Sequence, residues 1–244
     1  MSYSFAYITL SILALLALFV ASQKFHIFDL KGGIAALILG VIVDFAGYFT
    51  WLILLIVFAL VSFAATKYRF TEKKRIKMQE GDLGERRIRN VLYAGVVGGT
   101  IAIFHLADPY LLRYFELFAI SFAVVASDTF ASEIGVLDQK VIMITSFRRA
   151  QRGINGGISV LGELSAIAGA FIIALSYVLL KIGDASVFAL LFITVFGFIG
   201  CQIDSVLGGL FENKGKLSKG QVNFLSVLFT LMIALPVLYW NAAI

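Results

Sequence analysis

Residues 51–66 read WLILLIVFALVSFAAT, sixteen positions without a charge. A second run, ASVFALLFITVFGFIGC at 185–201, is also uncharged. Helices this apolar cannot face water without aggregating, and about 20 such residues suffice to cross the hydrocarbon core of a bilayer. The rest of the chain has the same character. Of its 244 residues 60% are hydrophobic and 14% charged, against roughly 25% charged in soluble domains. Mean hydropathy is +0.95. These values exclude a water-soluble domain and a disordered chain, and they predict an all-α, polytopic integral membrane bundle in which 1–244 form one membrane domain.

Working outward from 51–66, apolar segments long enough to span fall at about 3–22, 32–46, 48–66, 88–106, 111–134, 158–181, 186–210 and 222–243. That makes about eight transmembrane helices, or seven if 32–66 folds as a re-entrant hairpin. The first run has no basic residues before it, which predicts a true span and not a cleaved signal peptide. Twenty-two glycines against two prolines suit membrane helices packed through small residues. The single cysteine, Cys201, excludes an internal disulfide. Residues 1–66 are nearly uniform apolar helix, 67–87 a basic loop, and polar residues within the spans begin after it. Any chemistry is therefore expected in about 86–226.

With eight spans, eighteen of the twenty Lys and Arg residues fall in loops on one side, leaving Arg113 and Lys181 on the other. The positive-inside rule then predicts cytoplasmic basic loops and both termini outside. The net charge of +5 reads as topology and attraction to anionic membrane lipids, and no aromatic-plus-basic pattern points to nucleic acid.

Ionisable residues within a bilayer are costly, so each is a functional candidate. Helix 111–134 carries Ser127, Asp128, Thr129, Ser132 and Glu133 in its last two turns. Glu163 and Ser159 lie at the start of the next span, Gln202, Asp204 and Ser205 at the end of the one after, and Gln221 and Asn223 at the start of the last. All converge on one membrane face, which predicts a pocket open to the cytoplasm. Asp128 with Ser132, and Thr129 with Glu133, are spaced i, i+4 and form adjacent polar stripes. Carboxylates beside hydroxyls suit a hard cation such as Mg2+, so Asp128, Glu133, Asp204 and Glu163 are candidate ligands. The alternative is that Asp128 or Glu133 pairs with Arg86, Arg87 or Arg152 and ties helices together.

Arg152-Gly-Ile-Asn-Gly-Gly-Ile-Ser159 precedes a helix. Glycines in that place let backbone N–H groups approach an anion, and the helix dipole adds positive charge. Arg152, Asn155, Gly156, Gly157 and Ser159 are thus candidate phosphate ligands, although this is not a Walker A loop. Arg86, Arg87 and Asn90 stand at the pocket mouth, where phosphate contact and surface anchoring are both open. Lys67 to Lys77 read as a solvated membrane-surface helix. His26, His105 and Cys201 read as structural, and no Ser-His-Asp or Cys-His arrangement is present.

Ser127-Asp-Thr-Phe-Ala-Ser-Glu-Ile-Gly135, then Gly153-Ile-Asn-Gly-Gly-Ile-Ser159 with Gly162, Asp204-Ser205 with Leu207-Gly208, and Val222-Asn223 resemble in order and spacing the membrane family known as domain of unknown function 92. That family includes the phytyl-phosphate kinase of plants and cyanobacteria and the transmembrane protein 19 group. The likeness covers about 86–230. It departs at Asn90-Val-Leu-Tyr-Ala-Gly95, where the family usually has Gln-Val-Leu-Ala-Asn-Gly. The resemblance implies a kinase that transfers phosphoryl from CTP, or another nucleoside triphosphate, to a polyprenyl, phytyl or geranylgeranyl monophosphate. On that model Asp128, Glu133 and Asp204 are catalytic and hold Mg2+, with Asn223 beside the nucleotide. Arg86, Arg87 and Arg152 offset phosphate charge. Two other readings stay open: a cytidylyltransferase forming a CDP-lipid, to which Gly81-Asp-Leu-Gly-Glu85 bears a slight likeness, and a lipid or solute transporter.

Overall fold

The computed structural model describes residues 4–111, 113–181 and 186–240. Residue 3, residue 112 and residues 241–243, all within expected spans, and residue 185 at the start of the 185–201 run lie outside them. The described residues form long helices α1 (Phe5–Lys24), α2 (Leu30–Ala46) and α3 (Phe49–Lys67), a short α4 (Phe70–Arg75), then α5 (Ile88–Ala107) and α6 (Tyr114–Gly135). A small sheet follows, β1 (Val141–Met143), β2 (Arg149–Ala150) and β3 (Gly157–Ile158), and then α7 (Val160–Leu180), α8 (Val187–Leu210) and α9 (Lys219–Trp240).

Seven of the helices are long and apolar enough to cross a membrane. The other long one, α2, has 17 residues, the lower limit for a span. It nevertheless traverses the bundle as deeply as α5. At one end the Arg86 amide donates to Ile27 O and the Asp29 amide to Arg86 O, at 2.9 and 3.1 Å. At the other end His105 Nδ1 lies 2.8 Å from Ala46 O. The segment 32–66 is therefore two antiparallel helices meeting at Gly47 and Tyr48, not a re-entrant hairpin.

Polar residues start several helices: the side chains of Asp29, Ser159 and Ser186 accept from amides three residues on, as N-caps do. The centre is α6, buried on all sides and packed by α3, α5, α7, α8 and α9. It meets α7 at close range. A Cβ on Gly135 would lie 2.7 Å from the Gly162 Cα, and Ser127 Oγ donates to Ala166 O across the same seam at 2.9 Å. Small residues and interhelical hydrogen bonds are what hold helices together where water supplies no hydrophobic drive.

The loops 25–29, 68–87, 136–159 and 211–218 gather at one end. Phe28 bridges Arg86, Met78 packs on Gly153, and Asn213 Nδ2 donates to Asn155 O at 2.9 Å. At the opposite end Arg113 and Lys181 both pair with Glu116, at 2.7 and 3.5 Å. The sheet, in the order β2-β1-β3 and antiparallel throughout, was not foreseen in the 135–157 loop, but it does not alter the helical class. Residues 67–77 do differ from the expected solvated helix: α4 carries Lys73, whose side chain is fully buried.

Candidate active site

The last two turns of α6 deliver Asp128, Thr129, Ser132 and Glu133 to the basic end of the bundle. Asp128 makes no hydrogen bond among the described residues, and the charges of Lys219 and Arg86 act on it through space. Across from it on α8, Asp204 Oδ2 accepts from Ser226 Oγ at 3.0 Å. With its amide turned to satisfy both neighbours, Asn223 donates to the same oxygen at 3.2 Å and to Lys219 O at 2.9 Å. Oδ1 of Asp204 stays uncommitted. Glu163 Oε2 accepts from Gln202 Nε2 at 2.8 Å.

Glu133 is held differently. Its Oε2 is 2.6 Å from Lys73 Nζ, and its Oε1 accepts from Thr66 Oγ1 at 3.2 Å. Lys73 also donates to the Ala65 and Thr66 carbonyls, at 3.2 and 2.6 Å, at the end of α3. Arg86 Nη2 donates to Thr66 Oγ1 at 3.2 Å. The expected partners of Glu133, had it been an ion-pair residue, were arginines. The structure supplies a lysine from the basic loop.

Two chambers adjoin here. One, of about 250 Å3, lies among Asp128, Glu163, Asp204 and the loop 153–157. The other, of about 460 Å3, lies among Arg86, Arg89, Tyr93, Asp128 and Asn223. Asp128, Glu133 and Lys219 line both. An acid and a lysine thus stand at the junction of two compartments, a suitable place for passing a charged group from one to the other.

The glycine loop is shaped by two left-handed residues, Gly153 at φ +72° and Gly156 at φ +78°. A side chain at 156 would strike Ser205 O at 2.6 Å and the Gly209 Cα at 2.8 Å, so only glycine seats the loop against α8. The amides of Ile154, Asn155 and Gly156 donate to no protein group among the described residues. Successive unused amides in such a turn form an anion-binding concavity. Two of the first amides of α7 are already spoken for. Gly162 N donates to Ser159 Oγ at 3.1 Å, and Leu161 N to Asp138 Oδ2 at 3.5 Å. Ser159 is therefore the cap of α7, and the run of unused amides lies in the loop.

Asp128, Glu133, Ser159, Glu163, Asp204, Asn155, Gly156 and Gly157 all line the first chamber, and Arg86 and Asn223 the second. Arg87 and Arg152 line neither. Arg87 is exposed, Arg152 sits half-buried beyond the small sheet, and Arg148 and Arg149 are exposed on its hairpin. Lys219 had drawn attention only as a topological charge. Its spacing of four from Asn223, one helical turn, could have pointed to it. Glu80, which lines both chambers and accepts from Asn90 Nδ2 at 2.7 Å, had no signal within the basic loop. In that loop partial burial pushes the Glu85 carboxyl up, but the amides of Glu85, Leu83 and Asp82 and the charge of Arg87 outweigh it and hold it below the usual range. The bonds stiffen the turn that leads into α5.

Among the described residues, no three His, Cys, Asp or Glu side chains converge at metal-ligand spacing. Mg2+ does not require that. It is usually held by one or two carboxylates, with water and substrate phosphates completing the shell. Asp128, without a hydrogen bond among the described residues, and Asp204, with one oxygen uncommitted among them, fit such a role in the lining of the same chamber.

The fold and this chamber define a multi-pass integral membrane protein with a polar site at one end. The family model for Integral membrane protein DUF92 matches residues 13–231, and the chain belongs to that family. It is 33% identical to the uncharacterized membrane protein MJ0933 of Methanocaldococcus jannaschii, over 91% of this chain and 90% of that one. It is 28% identical to protein PGR of Arabidopsis thaliana, over 80% and 75% of the two chains. With protein VTE6, chloroplastic, of the same plant it shares 30% identity, over 59% of this chain and 45% of that one. No solved structure matches.

Proposed function

We propose that the protein is a membrane-embedded phosphotransferase that moves the γ-phosphoryl group of CTP, or another nucleoside triphosphate, onto an isoprenoid monophosphate to give the diphosphate. One observation carries the reading: residues 154–156, whose backbone amides are unused among the described residues, line one chamber, Arg86 lines the other, and Asp128 and Lys219 stand where the two meet. The family likeness supports the same class of reaction.

On this reading the donor phosphates rest on the loop with Asn155, Gly156 and Gly157, and the acceptor phosphate rests against Arg86. Asp128 and Asp204 would hold Mg2+, which when bound would offset the charge of the donor phosphates. Glu133, neutralised by Lys73, fixes the end of α6 from which Asp128 projects. An oxygen of the acceptor phosphate attacks the γ-phosphorus. The new P–O–P bond forms as the bond to the β-bridging oxygen breaks, and the electron pair leaves with the nucleoside diphosphate. Lys219, between the compartments, offsets the charge on the transferred group. The attacking phosphate is already ionised at neutral pH, so no histidine is needed as a base. The basic end faces the cytoplasm, where nucleotide is available.

The test is the origin of the label. Detergent-purified protein is given Mg2+, geranylgeranyl monophosphate, and CTP labelled at either the α or the γ phosphate. Label in the lipid from γ alone is the result expected. Label from α would make the protein a cytidylyltransferase, and no transfer from any nucleotide by folded protein would favour a transporter.

A further inference from the structure

A third cavity, of about 140 Å3, lies among α1, α2, α3 and α5. Its walls are hydrocarbon, formed by residues such as Leu15, Leu37, Leu55 and Ile56, and it reaches the polar end at Arg86 and Asn90. Arg86, Asn90 and Ala94 also line the larger polar chamber, so the two spaces share one wall. The guanidinium at that wall is only partly satisfied: Nη2 bonds Thr66 Oγ1 at 3.2 Å, whereas Nε is buried without a partner among the described residues. A buried cationic donor facing hydrocarbon on one side and a carboxylate-lined chamber on the other calls for an anion with an apolar substituent.

Size and polarity narrow the occupant. A hydrocarbon-lined cavity of about 150 Å3 takes a guest of benzene's size, comparable with one five-carbon isoprene unit. The only serines on the wall are Ser22 and Ser62, and Ser22 Oγ is already bonded to Phe19 O at 2.7 Å. Ser62 Oγ is buried and bonds nothing among the described residues, so the wall offers one hydroxyl, whereas a glycerol diester would bring two ester carbonyls into this space. A single hydrocarbon chain attached directly to phosphate brings none. Leu18 of α1 and Leu60 of α3 also line the cavity and are 39% and 52% exposed. The space therefore opens sideways between those two helices, toward the bilayer.

We infer that this cavity seats the phosphate-proximal end of a single-chain lipid monophosphate, with its phosphate on Arg86 and the rest of its tail leaving between α1 and α3. The inference rests on the phosphotransferase reading for the role of that lipid, but not for its binding. It gives helices α1 to α3, which contribute little else to the polar site, the task of selecting the acceptor. The chain is recognised close to its phosphate, and its far end lies in the bilayer.

The test uses the full-length protein in detergent, without nucleotide. A farnesyl monophosphate analogue carrying a diazirine next to its phosphate is photolysed and its attachment sites are mapped. Attachment to α2 and α3 near Ala36 and Ser62, suppressed by geranylgeranyl monophosphate but not by geranylgeraniol or phosphatidic acid, is expected. Ala59→Phe and Ala36→Phe, at half-buried wall positions, should each lose this labelling while thermal stability and nucleotide binding stay near wild type. Labelling elsewhere, or equal competition by the alcohol or by phosphatidic acid, would overturn the inference. If one variant fails to fold, the other and the competition series still decide. Labelling as described from a protein that transfers no phosphoryl group would sink only the phosphotransferase reading, and transfer with labelling elsewhere would sink only this one.

Discussion

Lys73 is the residue whose role differs most from its local sequence. It sits in Thr71-Glu-Lys-Lys-Arg75 among charges of the same kind, yet it alone of the basic residues there is buried, with its ammonium on Glu133 and two carbonyls of α3. Removing one member of a buried pair strands the other, at a cost of about 3–5 kcal/mol. Lys73→Met should therefore lower the thermal unfolding midpoint markedly, and adding Glu133→Gln should restore part of the loss. A single variant as stable as the wild type would mean that the pair is solvated. Nothing in four adjacent charges reveals which one turns inward, because that depends on where α4 meets α3 and α6. Asp128 and Asp204 were legible for the opposite reason. They lie within apolar spans, where a carboxylate stands out from its neighbours.

Among the elements, the contact between the glycine loop and α8 is the narrowest. Gly156 combines φ +78° with a backbone neighbour at 2.6 Å from any added Cβ, so an alanine must shift the loop and its free amides. Gly156→Ala should weaken binding of Mg2+-CTP by about tenfold, equivalent to about 1.4 kcal/mol, with calorimetric titration as the readout. Unchanged affinity would remove the loop from the donor site. Helices of 17–24 residues were legible to within a few positions because their hydrophobic runs are long. The three-stranded sheet was not: strands of two or three residues carry no alternation to detect. Ser159 shows a subtler limit, since a serine before a helix reads equally well as a phosphate ligand and as the cap it is here.

Over the whole molecule, charge and chemistry share one end. The basic loops, both polar chambers and the mouth of the apolar cavity lie together, while Arg113, Glu116 and Lys181 form a separate network at the far end. The proposed orientation places the first end in the cytoplasm. Cys201, the one cysteine of the chain, is buried, so single added cysteines report cleanly. On intact cells an impermeant maleimide should label Tyr110→Cys, in the exposed turn before α6, and spare Lys74→Cys. The reverse pattern would invert the topology. The apolar N-terminal helices show how far pattern carries: their membrane character was plain, but the cavity among them arises only from how α1, α2, α3 and α5 pack.

The central claim is that phosphoryl transfer occurs where the two chambers meet and depends on Asp128 and Asp204. It is tested most directly by following γ-labelled CTP into geranylgeranyl diphosphate with wild-type protein, Asp128→Asn and Asp204→Asn, each shown by thermal unfolding to be folded. The account predicts Mg2+-dependent transfer by the wild type and a loss of about 100-fold or more in each variant, the scale on which removed electrostatic stabilisation appears in turnover. Near-wild-type transfer by both folded variants would contradict it.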